Sequence, residues 1–258
     1  MNSYDLPLAI VIAVLGAAFG SFFNVLVYRI PRKESIIFPG SHCPACNRKI
    51  PPWLNIPIFS WILLGGKCKY CKTAIHWHYL ILEILTPLVF LGVFMVYGSE
   101  NLFLVLKYCL FFGFGLVILF IDFFERIIPD VISLPLILTG IVFSFFPAND
   151  ITWKLSLLGG VITFGFFYLI GLWYLLTRKK EGMGGGDIKY IAAIGTFFGP
   201  INSLFIIIVA CAVALVIMIP LLRFKKEYFP FGPFLVIASY IVMFFHESMF
   251  STITTLTY

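Results

Sequence analysis

Residues 102 to 122 read L-F-L-V-L-K-Y-C-L-F-F-G-F-G-L-V-I-L-F-I-D, an apolar run interrupted by Lys107 and closed by Asp122. About 20 apolar residues in a helix cross a hydrocarbon core of roughly 30 Å. The run is continuous rather than alternating, which excludes a barrel strand. The rest of the chain repeats the pattern. Of its 258 residues 61% are hydrophobic and 12% charged, about half the charge of a soluble domain. Similar runs occupy about 7–28, 80–97, 131–147, 156–177, 188–199, 202–222 and 229–246. Together they predict an all-α polytopic membrane protein with seven or eight transmembrane helices. The run at 188–199 is too short to cross alone and abuts Phe198-Gly199-Pro200. The first run reads as a retained helix: the M-N-S-Y-D before it carries Asp5 and no basic residue, unlike a secretory signal.

The basic residues then set an orientation. With eight spans, only Lys107 and Lys154 of the 18 lysines and arginines fall toward one side. The others, from Arg29 and Arg32 through Arg126, Arg178 and Lys189 to Arg223, Lys225 and Lys226, fall on the opposite one. An excess of Lys and Arg marks the cytoplasmic face, so both termini are expected outside and the net charge of +6 against an anionic leaflet. These charges ring helix ends and form no basic domain, which argues for a lipid partner and no nucleic acid.

One long polar segment, about 30–79, separates the first two runs and divides the chain into a first helix (1–29), an insertion (30–79) and a membrane core (80–258). The insertion carries two CxxC pairs, Cys43 with Cys46 and Cys68 with Cys71, 21 residues apart. Four thiolates close a tetrahedral Zn²⁺ site against water, and the metal would fold a segment with little core of its own. A structural zinc ribbon is the expectation. Paired disulfides suit a reducing cytoplasm poorly, and neither pair sits in the strand–helix context of a thioredoxin-like site. Cys109 and Cys211 lie inside apolar runs and read as packing residues.

Acids near membrane depth are functional candidates because burying them is expensive. Asp122 ends one run; Asp187 opens another after Gly184, Gly185 and Gly186. The topology puts both at the cytoplasmic edge, where two close carboxylates share one proton and act on a water held between them. Glycines without Cβ admit close backbone approach and positive φ, room for an extended peptide beside Asp187. The bland alternative is a flexible linker whose Asp187 caps a helix and pairs with Lys189. Lys189 otherwise tunes the aspartate or snorkels to the interface. Asp130, after Pro129, suits a helix cap and is the chief rival of Asp122. Glu83 reads as a structural ion pair or a substrate contact.

Taken in order, G-S-F-F-N-V-L-V-Y-R-I-P (Gly20 to Pro31), the paired CxxC motifs around P-P-W-L-N-I-P-I-F-S-W, H-Y-L-I-L-E (His78 to Glu83), I-D-F-F-E-R-I-I-P-D and G-G-G-D-I-K resemble the bacterial type IV prepilin peptidases, membrane aspartic proteases with a G-x-G-D motif. The resemblance implies cleavage of the basic leader of prepilins or pseudopilins, and methylation of the new amino terminus with S-adenosylmethionine. It implies a place in the bacterial inner membrane, Asp122 and Asp187 as the catalytic pair, and zinc on the four cysteines. Gly184, Gly186, Lys189, Glu83 and Asp130 are its supporting residues. Phe23 and Trp53-Leu54-Asn55 depart from the usual motifs without removing a catalytic group. No glycine-rich dinucleotide fingerprint marks a methyl-donor site. A peptidase without methyltransferase activity and a cation-coupled carrier are the alternatives; the latter expects acids in broken helices of two related halves.

Overall fold

The computed structural model describes residues 5–180, 182–222 and 230–255. Arg223, Lys225 and Lys226, used above to orient the chain, lie outside the described residues, as do Met1 to Tyr4. Helices dominate: α1 (Asp5–Arg29), α2 (Phe59–Leu63), α3 (Trp77–Tyr97), α4 (Leu102–Glu125), α5 (Asp130–Ser144), α6 (Trp153–Arg178), α7 (Gly185–Leu222) and α8 (Gly232–Thr255). Among the described residues no strand forms; two isolated bridges pair His42 with Lys49 and Lys67 with Ala74.

Five helices, α1, α3, α4, α6 and α7, are long and apolar enough to cross a membrane, while the apolar stretches Asp130–Ser144 of α5 and Gly232–Phe245 of α8 are shorter. The short α2 lies in the polar insertion. Only 17% of the most apolar stretch of α6 is buried within the protein. In water such a surface would aggregate; facing lipid, it is solvated. This is a multi-pass membrane protein.

The separate runs at 188–199 and 202–222 are two helical segments, labelled together as α7, that meet in a kink at Gly199. Gly199 takes φ 74° and ψ 176°, a region essentially reserved for glycine. The break and the following Pro200 end the first segment and start the second.

Two compact units divide the chain at Val117 and Ile118, inside α4. In the first unit α1 packs along α3. A Cβ at Gly16 would lie 2.6 Å from the Pro87 Cα, and one at Gly20 would lie 2.9 Å from the Glu83 Cα. The G-x-x-x-G of α1 is therefore the groove that admits α3, as in close membrane helix pairs. In the second unit α7 packs against α5, α6 and α8. Tyr190, Ile191, Ala193, Ile194 and Phe197 of α7 are fully buried and form its core. Small residues again set the helix spacing: Gly159 meets Gly195, and the Ser156 hydroxyl donates to the Thr196 carbonyl at 2.8 Å. Cys109 is buried as expected, whereas Cys211 is exposed on α7.

Candidate active site

Asp122 and Asp187 meet in the second unit. Asp122 stands on the last turn of α4 and is 5% exposed. One of its oxygens, Oδ2, accepts the Gly232 N–H at 2.9 Å. That N–H opens α8, so Asp122 satisfies a donor the helix cannot and sits at the positive end of its dipole. Asp187 is the third residue of α7. The Asp122 charge acts on it directly, and its Oδ1 is buried without a protein hydrogen-bond partner. Helix α7 starts at Gly185, with the Ile188 N–H reaching the Gly184 carbonyl at 3.4 Å, so Asp187 lies inside the first turn and does not cap it.

Two of the three glycines, Gly184 and Gly186, serve close approach. A Cβ on Gly184 would lie 2.8 Å from Asp187 Oδ2, and one on Gly186 would lie 2.8 Å from the Ile128 Cβ and 2.9 Å from its carbonyl oxygen. Gly185 meets nothing within 4 Å and is exposed. None of the three takes the positive φ that their sequence suggested; at Gly184 and Gly186 lack of a side chain, not unusual backbone, is what the position requires.

Lys189 does not pair with Asp187. Its Nζ binds both carboxylate oxygens of Asp130 at 2.7 Å, tying α7 to α5. Asp130 is the first residue of α5, after Pro129 at the cap position, and makes no cap hydrogen bond. Its charge is compensated at a partly exposed pair, apart from the Asp122–Gly232 contact.

In the first unit the two CxxC segments fold alike. Cys43 N–H bonds the Arg48 carbonyl and Asn47 N–H returns to the Cys43 carbonyl; Cys68 N–H bonds Thr73 and Lys72 N–H returns to Cys68. Asn47 and Lys72 both adopt left-handed conformations, at φ 54° and 60°. The result is two equivalent knuckles whose four Sγ atoms lie within 4.8 Å of one another. No cysteine here is in a disulfide. Cys43 and Cys71 Sγ are 3.8 Å apart, and the edge of a ZnS₄ tetrahedron with bonds of about 2.3 Å is about 3.8 Å. The hydrogen bond with the Thr73 hydroxyl, aided by the Thr73 N–H, lowers the Cys71 thiol to about 6, toward the thiolate a metal needs. The cluster can hold a metal ion. Among the described residues no histidine joins it.

Among the described residues Glu83 makes no ion pair. Its Oε2 accepts the Ile58 N–H at 2.7 Å, and the Ser21 hydroxyl also bonds it. It belongs to the first unit, with the metal cluster.

Residues 109–219 match the sequence model of the type IV leader peptidase family, and residues 14–97 match that of the bacterial peptidase A24 N-terminal domain. A "Prepilin leader peptidase/N-methyltransferase" of Neisseria gonorrhoeae is 32% identical, over 98% of this chain and 95% of that protein. The chain belongs to the type IV leader peptidase family. Its relative of the same name from Pseudomonas aeruginosa is 31% identical, over 95% of this chain and 94% of that protein. A "Type 4 prepilin-like proteins leader peptide-processing enzyme" of Escherichia coli is 27% identical over 90% and 92%. No solved structure matches.

Two contributors to the Asp122–Asp187 arrangement were not singled out from the sequence. Gly232 supplies the N–H on Asp122, and a Cβ there would lie 2.6 Å from Asp122 Oδ2. Ile128 touches Gly232 through Cδ1 and Gly186 through its Cβ and carbonyl, so one side chain spaces the supports of both aspartates. The P-F-G-P at 230–233 held a usable signal, since a proline in the first turn announces a helix start and hence a set of unsatisfied N–H groups. Ile128, one isoleucine in an apolar chain, carried none.

Proposed function

We propose that the chain is a membrane aspartic endopeptidase that removes the leader of prepilins or prepilin-like subunits, with Asp122 and Asp187 as its catalytic pair, and that it then methylates the new amino terminus. The observation that carries the reading is the approach of two carboxylates at helix ends, one bound by the first N–H of α8 and the other with a buried oxygen lacking any partner. A buried unpaired carboxylate oxygen is costly in a structural role and is what a water or a scissile peptide would occupy.

The chemistry follows from two carboxyls sharing one proton. The ionised carboxylate takes a proton from the water between them, and the hydroxide carbon–oxygen bond forms at the scissile carbonyl. The protonated partner gives its proton to the carbonyl oxygen. Collapse of the tetrahedral centre breaks the carbon–nitrogen bond, and the amine leaves with the proton taken from the water. The exposed backbone of Gly185, beside Asp187, gives an extended substrate room to lie against α7.

A prepilin suits this placement: its basic leader belongs in the cytoplasm and its apolar helix in lipid, so its cleavage point is interfacial. The reading sets the active site and the metal knuckles on the cytoplasmic side of the bacterial inner membrane, with zinc as the structural ion on Cys43, Cys46, Cys68 and Cys71. S-adenosylmethionine supplies an electrophilic methyl group: a carbon–nitrogen bond forms with the neutral amine, and the electron pair of the broken carbon–sulfur bond stays on sulfur.

The test is cleavage of a prepilin by purified protein carrying Asp122→Asn or Asp187→Asn. Each is expected to be inactive while remaining inserted and folded. Undiminished cleavage by either variant removes the assignment.

A further inference from the structure

A cavity in the first unit lies between the end of α1, the two knuckles and the start of α3. It encloses about 450 Å³, within the range of small-molecule sites, and nothing in the peptidase chemistry uses it. Its polar lining is specific. Asn24 is 2% exposed; its amide donates to the Tyr79 carbonyl at 3.0 Å, while its Oδ1 is buried without a partner. The indole N–H of Trp61, also in the lining, is a second buried atom without a partner. A buried acceptor and a buried donor left open in one cavity call for a ligand that offers both.

Glu83 adds a carboxylate to the same wall. Its backbone is held close against α1, where a Cβ on Gly20 would lie 2.9 Å from the Glu83 Cα. It also sustains backbone strain. Ile58 takes φ 66° and ψ −55°, with the Phe59 N–H on the Pro57 carbonyl at 2.6 Å. This is a γ-turn in a region that β-branched residues avoid. Such strain persists only where surrounding contacts over-determine it, and it clusters at binding sites. Here the Glu83 carboxylate grips the Ile58 N–H. A carboxylate has lone pairs to spare after two hydrogen bonds, so Glu83 can still accept from a ligand in the cavity, which Tyr28 and Tyr79 also line.

A fixed anion beside aromatic faces attracts a cation. Open donor and acceptor atoms suit the edge of a heteroaromatic base. Arg32, stacked 4.3 Å over the Tyr28 ring at the same cavity, suits a carboxylate tail. Sulfonium, purine and amino-acid tail are the three parts of S-adenosylmethionine. We infer that this cavity binds the methyl donor, with Glu83 facing its sulfonium and Asn24 Oδ1 accepting a hydrogen bond from it. The inference rests on the methyltransferase half of the function proposed above. It also gives the metal knuckles a task, since Cys43 and Cys68 line the same cavity: they hold one wall of the donor site.

Equilibrium binding of S-adenosylmethionine and of S-adenosylhomocysteine to the full chain, metal-loaded in detergent, tests it without turnover. The two ligands differ in the positive sulfur. Glu83→Gln keeps an amide oxygen for the Ile58 N–H and removes only the charge. It is expected to reduce the preference for the sulfonium ligand by about tenfold or more, as befits a lost charged contact. Asn24→Leu is expected to weaken both ligands by about fivefold to tenfold, a lost neutral hydrogen bond in a buried site. Metal content and the thermal unfolding midpoint report whether each variant is folded; if Asn24→Leu is not, Glu83→Gln carries the test. Unchanged affinity and preference in folded Glu83→Gln would overturn the inference while leaving the methyltransferase reading intact. Failure of the unaltered chain to bind either ligand would instead remove that reading and the inference with it.

Discussion

Replacing Gly232 by alanine tests how tightly the fold holds Asp122. The added Cβ would lie 2.6 Å from Asp122 Oδ2 and 3.2 Å from Ile128 Cδ1. The isoleucine methyl can swing aside; the carboxylate is held by the 2.9 Å hydrogen bond from the same residue's N–H. Ordinary contact starts near 3.4 Å, so the oxygen must retreat by roughly 0.8 Å. A misplacement of about 1 Å at reacting groups lowers rates by on the order of 100-fold. The expected loss in kcat for leader cleavage is therefore about 10- to 100-fold, or about 1.4–2.7 kcal/mol of barrier, with KM little changed. Gly184→Ala intrudes less, at 2.8 Å from Asp187 Oδ2, and should lose less. Gly165→Ala on α6 meets nothing within 4 Å and should cleave like the unaltered chain. The assay is steady-state cleavage of a prepilin by purified protein in detergent, alongside thermal unfolding. A folded Gly232→Ala variant whose kcat stays within about twofold of the unaltered value would refute the reasoning, since that corresponds to only about 0.4 kcal/mol.

Three further outcomes are expected. Gly199→Ala meets no steric obstacle nearer than the Leu155 carbonyl at 4.0 Å, yet forces a side chain into a glycine-only backbone region and should destabilise the second unit by about 1–3 kcal/mol, read as a lower unfolding midpoint. Asp130→Asn breaks the pair with Lys189, whose side chains are 55% and 33% exposed; it should lower stability by no more than about 1 kcal/mol and leave most leader cleavage intact. Purified protein should carry about one zinc per chain, lost on replacing Cys43 and Cys68 and released as pH falls, because protons compete with metal for thiolate. The Thr73 hydroxyl keeps the Cys71 thiol down at about 6, so that cysteine stays a thiolate above that pH and is protonated as pH drops through it. Thr73→Val should therefore shift metal release to higher pH, as seen by metal analysis across a titration.

The membrane class, the order of helices and the cysteine cluster were legible in the chain because each rests on local pattern. Apolar runs set helix length, and CxxC spacing sets two sulfurs on one knuckle. The break at Gly199 was legible: the shortness of 188–199 and the F-G-P beside it marked the boundary between two segments, and the backbone angles put the kink on Gly199 itself. The glycines before Asp187 were singled out for two properties, and the structure uses one, because closeness to Ile128 is a fact of tertiary packing. The partner of Lys189 was missed for a similar reason. Sequence proximity favoured Asp187, two residues away, whereas the helical turn points Lys189 across to Asp130 on α5. Glu83 was ambiguous because its partner is a backbone N–H in a distant loop, and no residue type announces that.

The central claim is that Asp122 and Asp187 act as one unit on one water. A double-mutant cycle on leader cleavage measures this most directly, with Asp122→Asn, Asp187→Asn and the double variant compared for kcat in folded, membrane-inserted protein. Groups that work as a unit fail together, so all three variants should fall to the same residual rate. Two independent contributions that multiply in the double variant, or a single variant that cleaves like the unaltered chain, would contradict the account.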